Sequence, residues 1–184
     1  GSYYNVVSMG VGGGLTGDRD AAIFFGGSRA LMRTAPSSLV TIQSADYSLE
    51  AILAFTQTSL ANILAIRQDP NASILGWFGV NQGGSLSTIA WTNGTGVAIQ
   101  GQVLKSPQSY GDGAFHHAVA VYRVQSSFGN LFVDGIFVDS KTVPGLTDAA
   151  SPLAVHVGQD ISSLRPFRGT IDEVAVYPFA LSSA

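Results

Sequence analysis

The chain of 184 residues has no cysteine, so neither disulfides nor thiolate-bound metals can hold it together and its core must do so alone. Charge is scarce too: charged residues make up 11% of the chain, well under half the share in an average soluble domain. Two lysines and seven arginines lie scattered along the sequence, and the net charge is −3. No basic stripe exists to neutralise a phosphate backbone, which argues against a nucleic-acid partner. Glutamate is scarcer still, with Glu50 and Glu173 alone, far apart in sequence. No apolar run approaches the roughly 18 residues of a membrane span, so no membrane insertion is expected. Helical periodicity is nearly absent.

What remains is 46% hydrophobic residues and 22 glycines, arranged as short β-rich runs between turn clusters. Tyr47–Phe55 alternates in the manner of a half-buried strand. Ile63–Arg67 and Ile74–Val80 flank the turn Asp69-Pro70-Asn71, and Ser85–Trp91 and Gly96–Val103 flank Asn93-Gly94; each pair predicts a hairpin. The run 60–67 has a helical turn as its alternative reading. Phe115–Arg123, Gly129–Val133, the Asp134-Gly135 turn and Ile136–Lys141 give the clearest pattern, and Leu153–Gly158 and Thr170–Tyr177 supply the last strands. About twelve strands are expected, packed as a two-sheet antiparallel sandwich. Gly10-Val11-Gly12-Gly13-Gly14 reads as a flexible loop. Phe115, Val119, Val121, Phe132, Val133, Ile171, Val174 and Val176 are expected to include the main inward-facing residues, although alternation forbids all of them sharing one face.

Residues 1–2 read as a cloning scar and residues 3–184 as one domain, excised from a larger protein. The sequons Asn71-Ala72-Ser73 and Asn93-Gly94-Thr95 are common enough by chance to carry no weight.

Three stretches carry a resemblance. Phe115-His116-His117-Ala118-Val119-Ala120-Val121-Tyr122 resembles a Trp-His-His-Val-Ala strand, Leu131-Phe132-Val133-Asp134-Gly135 a Tyr-Val-Asp-Gly hairpin, and Phe167–Tyr177 with Ala180-Leu181-Ser182 a closing strand. Together they are similar to the laminin-G-like, concanavalin-A-like jelly-roll superfamily. That resemblance implies an all-β jelly-roll sandwich and a non-catalytic module that engages a glycan or a protein through rim loops. It also implies an extracellular or virion-surface setting, with oligomers formed through a parent assembly. A structural or decoration domain of a phage or other multi-subunit particle is the alternative; a glycoside hydrolase is the remote one.

Glucanases of this architecture use two carboxylates about 5 to 9 Å apart, commonly from a Glu-x-Asp-x-x-Glu strand. That strand is missing, and Asp172 and Glu173, being consecutive, should face opposite sides. The chain is therefore read as no enzyme. His116 and His117 should likewise diverge, so they cannot chelate one ion, and both are read as structural, as is His156. Sugar binding needs rings to stack on and polar groups to bind hydroxyls, and Trp91 with Asn93 and Tyr110 with Asp112 are the candidates beside loops; Trp77 reads as core. In related modules the acid at Asp172 supplies a ligand to a structural Ca²⁺. Calcium is thus the one possible cofactor, with backbone N–H groups or an arginine such as Arg168 as the other partners for Asp172.

Overall fold

A computed structural model describes residues 2–4, 8–15, 17, 21–27, 30–37, 45–68, 74–90, 103–143, 152–159 and 165–182. Period-2 alternation and tight turns yield fourteen strands among them: β1 (Ser2–Tyr4), β2 (Ser8–Val11), β3 (Ala22–Gly26), β4 (Leu31–Arg33), β5 (Tyr47–Phe55), β6 (Ala61–Gln68), β7 (Ile74–Val80), β8 (Ser85–Ala90), β9 (Leu104–Ser109), β10 (Phe115–Arg123), β11 (Phe128–Val133), β12 (Ile136–Thr142), β13 (Leu153–Val157) and β14 (Arg168–Tyr177). One short 3-10 turn, Gln82–Gly84, interrupts the pattern. The strands form two antiparallel seven-stranded sheets. Sheet A runs β1-β4-β13-β6-β7-β8-β9 and sheet B runs β12-β11-β10-β5-β14-β3-β2. This is the jelly-roll sandwich that the sequence predicts.

The core lies between the sheets. From sheet B it takes Tyr47, Leu49, Leu53 and Phe55 of β5 with Ala118, Ala120 and Tyr122 of β10; from sheet A it takes Ile63, Ile66, Phe78 and Val155. Tyr47 and Tyr122 stack with centroids 4.7 Å apart, and the Tyr122 hydroxyl meets Thr88 Oγ1 of the opposite sheet at 2.8 Å. Burial pushes both phenols well above their ordinary pKa, so they stay neutral. Phe25, Phe55 and Phe167 close the other end through edge-on contacts.

Several expectations need correction. The face of β10 that packs on the core is Ala118-Ala120-Tyr122, so Phe115, Val119 and Val121 lie on the opposite face, with Phe132 beside them on β11. The cause is register: Val119 pairs with Glu50 and with Phe132, and all three belong to the outer set. Val133 and Ile171 are buried as expected, with Val174 and Val176 packed partly against the core. The Gly10–Gly14 loop begins as strand, because Ser8–Val11 pairs with β3. Residues 61–68 are strand and not a helical turn. The partner of β8 is β9, which carries Pro107 on the sheet edge, where a missing N–H costs no ladder bond. Residues 91–102, with the Asn93-Gly94 turn, and 69–73, with the Asp69-Pro70-Asn71 turn, lie outside the described residues, although β6 and β7 do pair antiparallel.

The strict alternation assumed for Asp172 and Glu173 fails for a definite reason. A bulge between Ile171 and Val174 inserts one extra residue opposite β5, so both apolar residues face the core with the two acids between them.

The Asp134-Gly135 connection is the expected tight hairpin. Val133 pairs with Ile136, and both turn residues have positive φ, 53° at Asp134 and 74° at Gly135. That is a type I′ turn, whose twist matches the flanking strands.

Candidate functional site

Sheet B keeps an open outer face. The central strand β5 presents Glu50 there, next to His117 of β10 and Tyr177 of β14. His117 Nε2 lies 2.5 Å from Glu50 Oε1, and the Tyr177 hydroxyl donates to Glu50 Oε2 at 2.5 Å. One carboxylate thus orders an imidazole and a phenol on adjacent strands. The hydrogen bond to Glu50, reinforced by desolvation and by the charges of Glu50 and Glu173, raises the Tyr177 pKa, so the phenol keeps its proton.

Beside this trio runs a groove of about 320 Å³ with an apolar wall of Val119, Val121, Phe132 and Leu181. Phe132 is partly exposed and packs edge-on against Phe137 of β12, itself 55% exposed. Two terminal segments frame the face. The C-terminal stretch crosses over Ser48, whose hydroxyl donates to Phe179 O at 3.0 Å and accepts from Leu181 N at 2.9 Å. At the other side the glycine-rich segment lies flat: a Cβ at Gly13 would sit 2.6 Å from Asp172 Oδ2, and one at Gly14 would sit 2.7 Å from the Phe115 ring. Glycine is required there by close approach.

A second cluster occupies the rim at the start of β10. His116 Nδ1 lies 2.8 Å from Asp134 Oδ2 and Nε2 lies 3.1 Å from Asp112 Oδ1. Partial burial works to lower the imidazole pKa, but the hydrogen bonds and charges of Asp134 and Asp112 outweigh it and raise the value. Asp112 is lowered, first by the Ala114 amide and then by His116. Asp134 Oδ1 also accepts the His117 amide at 2.9 Å, so this cluster ties the hairpin to the β9–β10 loop.

Of the residues picked out from sequence, Tyr110 and Asp112 meet at this rim, both against His116. Tyr110 is only 7% exposed, its ring 4.9 Å from the imidazole, so it offers an edge rather than an open platform. Trp91 and Asn93 lie outside the described residues. Trp77 is buried, its indole N–H donating to Asn62 Oδ1 on the outer side of sheet A. Asp172 Oδ2 accepts from Gly14 N at 2.7 Å and Leu15 N at 3.3 Å. A Ca²⁺ shell needs six to eight oxygens. Here amide donors point at the carboxylate, and the described residues gather no group of three His, Asp or Glu fit for a metal. Among the described residues Asp172 is thus met by backbone N–H groups, the other partners named for it from the sequence.

Sequence reasoning missed Glu50, Tyr177 and Phe132 as site residues. The available signal was Glu50 itself, the one charged residue, at an outward position, in a largely apolar strand.

No curated protein matches the sequence significantly. Among solved structures, domain 4 of AbnA, a GH43 extracellular arabinanase from Geobacillus stearothermophilus solved with arabinotriose, superposes with a TM-score of 0.65 at 16% identity, covering 100% of this chain and 78% of that one. The heptameric SAP-like pentraxin of Limulus polyphemus gives 0.66 at 14%, covering 88% and 77%. The Ruminococcus gnavus IT-sialidase CBM40, solved with α2,3 sialyllactose, gives 0.59 at 11%, covering 83% and 94%. At such identities the likeness establishes the fold alone. A laminin-G-type family profile matches residues 26–184, and on that match the chain belongs to the concanavalin A-like lectin/glucanases superfamily.

Proposed function

We propose that this chain is a non-catalytic glycan-binding module of a larger extracellular protein, and that it binds through the outer face of sheet B. The observation that carries this reading is the groove lined both by a partly exposed aromatic ring, Phe132, and by the hydrogen-bonding groups Glu50 and His117, with Glu50 held in place by Tyr177. A sugar ring offers an apolar face and a hydroxyl edge, and this groove supplies a partner for each. Neighbours of the same fold solved with arabinotriose and sialyllactose support the ligand class. The absence of chemistry rests on the carboxylates: the chain has two glutamates, and Glu50 is engaged by both His117 and Tyr177. Tyr110 and Asp112 at the rim form the adjacent edge of the same proposed surface.

The test is a glycan array followed by calorimetry on the best ligand, with Phe132→Ala and Glu50→Gln. Loss of the ring should weaken binding about tenfold or more, roughly 1.4 kcal/mol or above, while the fold persists. Undiminished binding in both variants would remove the groove from consideration.

A second reading, an assembly contact, draws on the β11–β12 edge, where Phe128, Ile136 and Phe137 are 42%, 67% and 55% exposed. Light scattering across a concentration series tests it: association abolished by Ile136→Lys would favour assembly over glycan recognition.

A further inference from the structure

We infer that the module has a separate subsite for a carboxylated sugar, centred on Arg168. This rests on the glycan-binding reading and adds a charge preference to it. Two adjoining depressions of about 460 and 390 Å³ open at the far end of sheet B from the C-terminal stretch, and both are lined by Thr56 and Arg168. No acidic residue lines either one.

Arg168 is the first residue of β14, and its side chain is exposed. Among the described residues its guanidinium has no hydrogen-bond or ion-pair partner, whereas His116, His117 and Lys141 each meet a carboxylate. What sets Arg168 apart is its position, an exposed guanidinium beside the polar groups of both depressions. The floor is rigid because the Gln57 side chain is used at both ends: Oε1 accepts Arg168 N at 2.8 Å, while Nε2 donates to Ser59 Oγ at 2.9 Å and Pro166 O at 3.2 Å. Gly27, at φ +80°, keeps the approach to the arginine stem open, since a Cβ there would lie 3.2 Å from Arg168 Cβ. Thr58 lines one depression, and Phe24 and Thr170 line the other.

The chemistry follows from those groups. A guanidinium presents a planar fork that binds a carboxylate bidentately, the threonine hydroxyls suit ring hydroxyls, and Phe24 offers an apolar surface. Together they match a uronate-type sugar better than a neutral one.

The experiment is calorimetry of the whole chain with oligogalacturonate, oligoguluronate, hyaluronan and sialyllactose, each beside its methyl-esterified counterpart, at low and high salt. At least one acid should bind about tenfold more tightly than its ester, with the margin shrinking in salt. Arg168→Gln should erase the margin and Arg168→Lys should keep part of it, with circular dichroism and melting temperature near those of the parent. Equal binding of acid and ester, or a margin that survives Arg168→Gln, overturns the subsite. A neutral glycan held through Phe132 with no acid preference would overturn this inference and leave the groove standing. Failure of every saccharide would overturn both.

Discussion

The two outer faces of the sandwich carry similar residue types and differ in whether anything can reach them. On sheet A, the side of β6, β7 and β13 away from the core carries Asn62, Arg67, Trp77 and His156, and these are 2%, 4%, 6% and 2% exposed. On sheet B the corresponding set is Glu50, His117, Phe132 and Tyr177, all partly exposed beside an open groove. An aromatic ring with an amide or imidazole beside it is therefore no indicator of a binding surface by itself. The indole of Trp77 is committed to Asn62, and Gly79 is a glycine because a side chain there would collide with the Ala61 carbonyl and that same indole. Buried polar groups of this kind hold structure.

This contrast can be broken or sharpened by substitution. The largest effect belongs to the closed face: Trp77→Ala should cost about 3 to 5 kcal/mol in denaturant unfolding and leave saccharide affinity per folded molecule unchanged. A mild stability loss with a large affinity loss would reverse the roles assigned to the two faces. Next is Gly135, which borders the open groove. A Cβ there meets nothing within 4 Å, so Gly135→Val is penalised by positive φ alone, at about 1 to 2 kcal/mol; no change in the unfolding midpoint would contradict the type I′ turn.

The rim should show a pH dependence of smaller size. His116 has a raised pKa, so its contribution is full below the ordinary value of 6.5 and fades as pH climbs through the raised folded value. Asp112 has a lowered one, so its contribution is full above 3.8 and fades as pH falls through the lowered folded value. Melting temperature should therefore be highest between those limits, and His116→Gln should flatten the alkaline limb; an unaltered limb would show that the tie does not stabilise the hairpin. The smallest effect concerns Asp172. Calcium and a chelator should leave the melting temperature alike, while Asp172→Asn, which weakens two amide hydrogen bonds on an exposed segment, should cost about 1 kcal/mol. A chelator-sensitive shift that vanishes in Asp172→Asn would establish a cation where amides now point.

Much of the fold was legible because it depends on local periodicity. Tyr47–Phe55 is bounded by its alternation, Ile74–Val80 and Phe115–Arg123 by the turn signals beside them, and the Asp134-Gly135 turn by its dipeptide. Short strands escaped: β4 has three residues, and β9 contains a proline and little apolar patterning. The choice of face on β10 was not legible either, since alanine on one side and valine on the other give no contrast in hydrophobicity. The site was least legible of all. Glu50 and His117 are 67 positions apart, and only antiparallel pairing of β5 with β10 places them on adjoining strands.

By itself, then, the sequence determined the class of fold, the tight hairpin, the reliance on a cysteine-free core and the scarcity of glutamate, because each follows from composition or from neighbours within a few residues. Tertiary structure alone decided which face of each strand meets the core, that a bulge sets Asp172 and Glu173 between two core residues, and that Arg168 stands without a carboxylate while His116 has two. Those outcomes depend on register between strands distant in sequence, and a shift of one residue in register would exchange every inward side chain for an outward one.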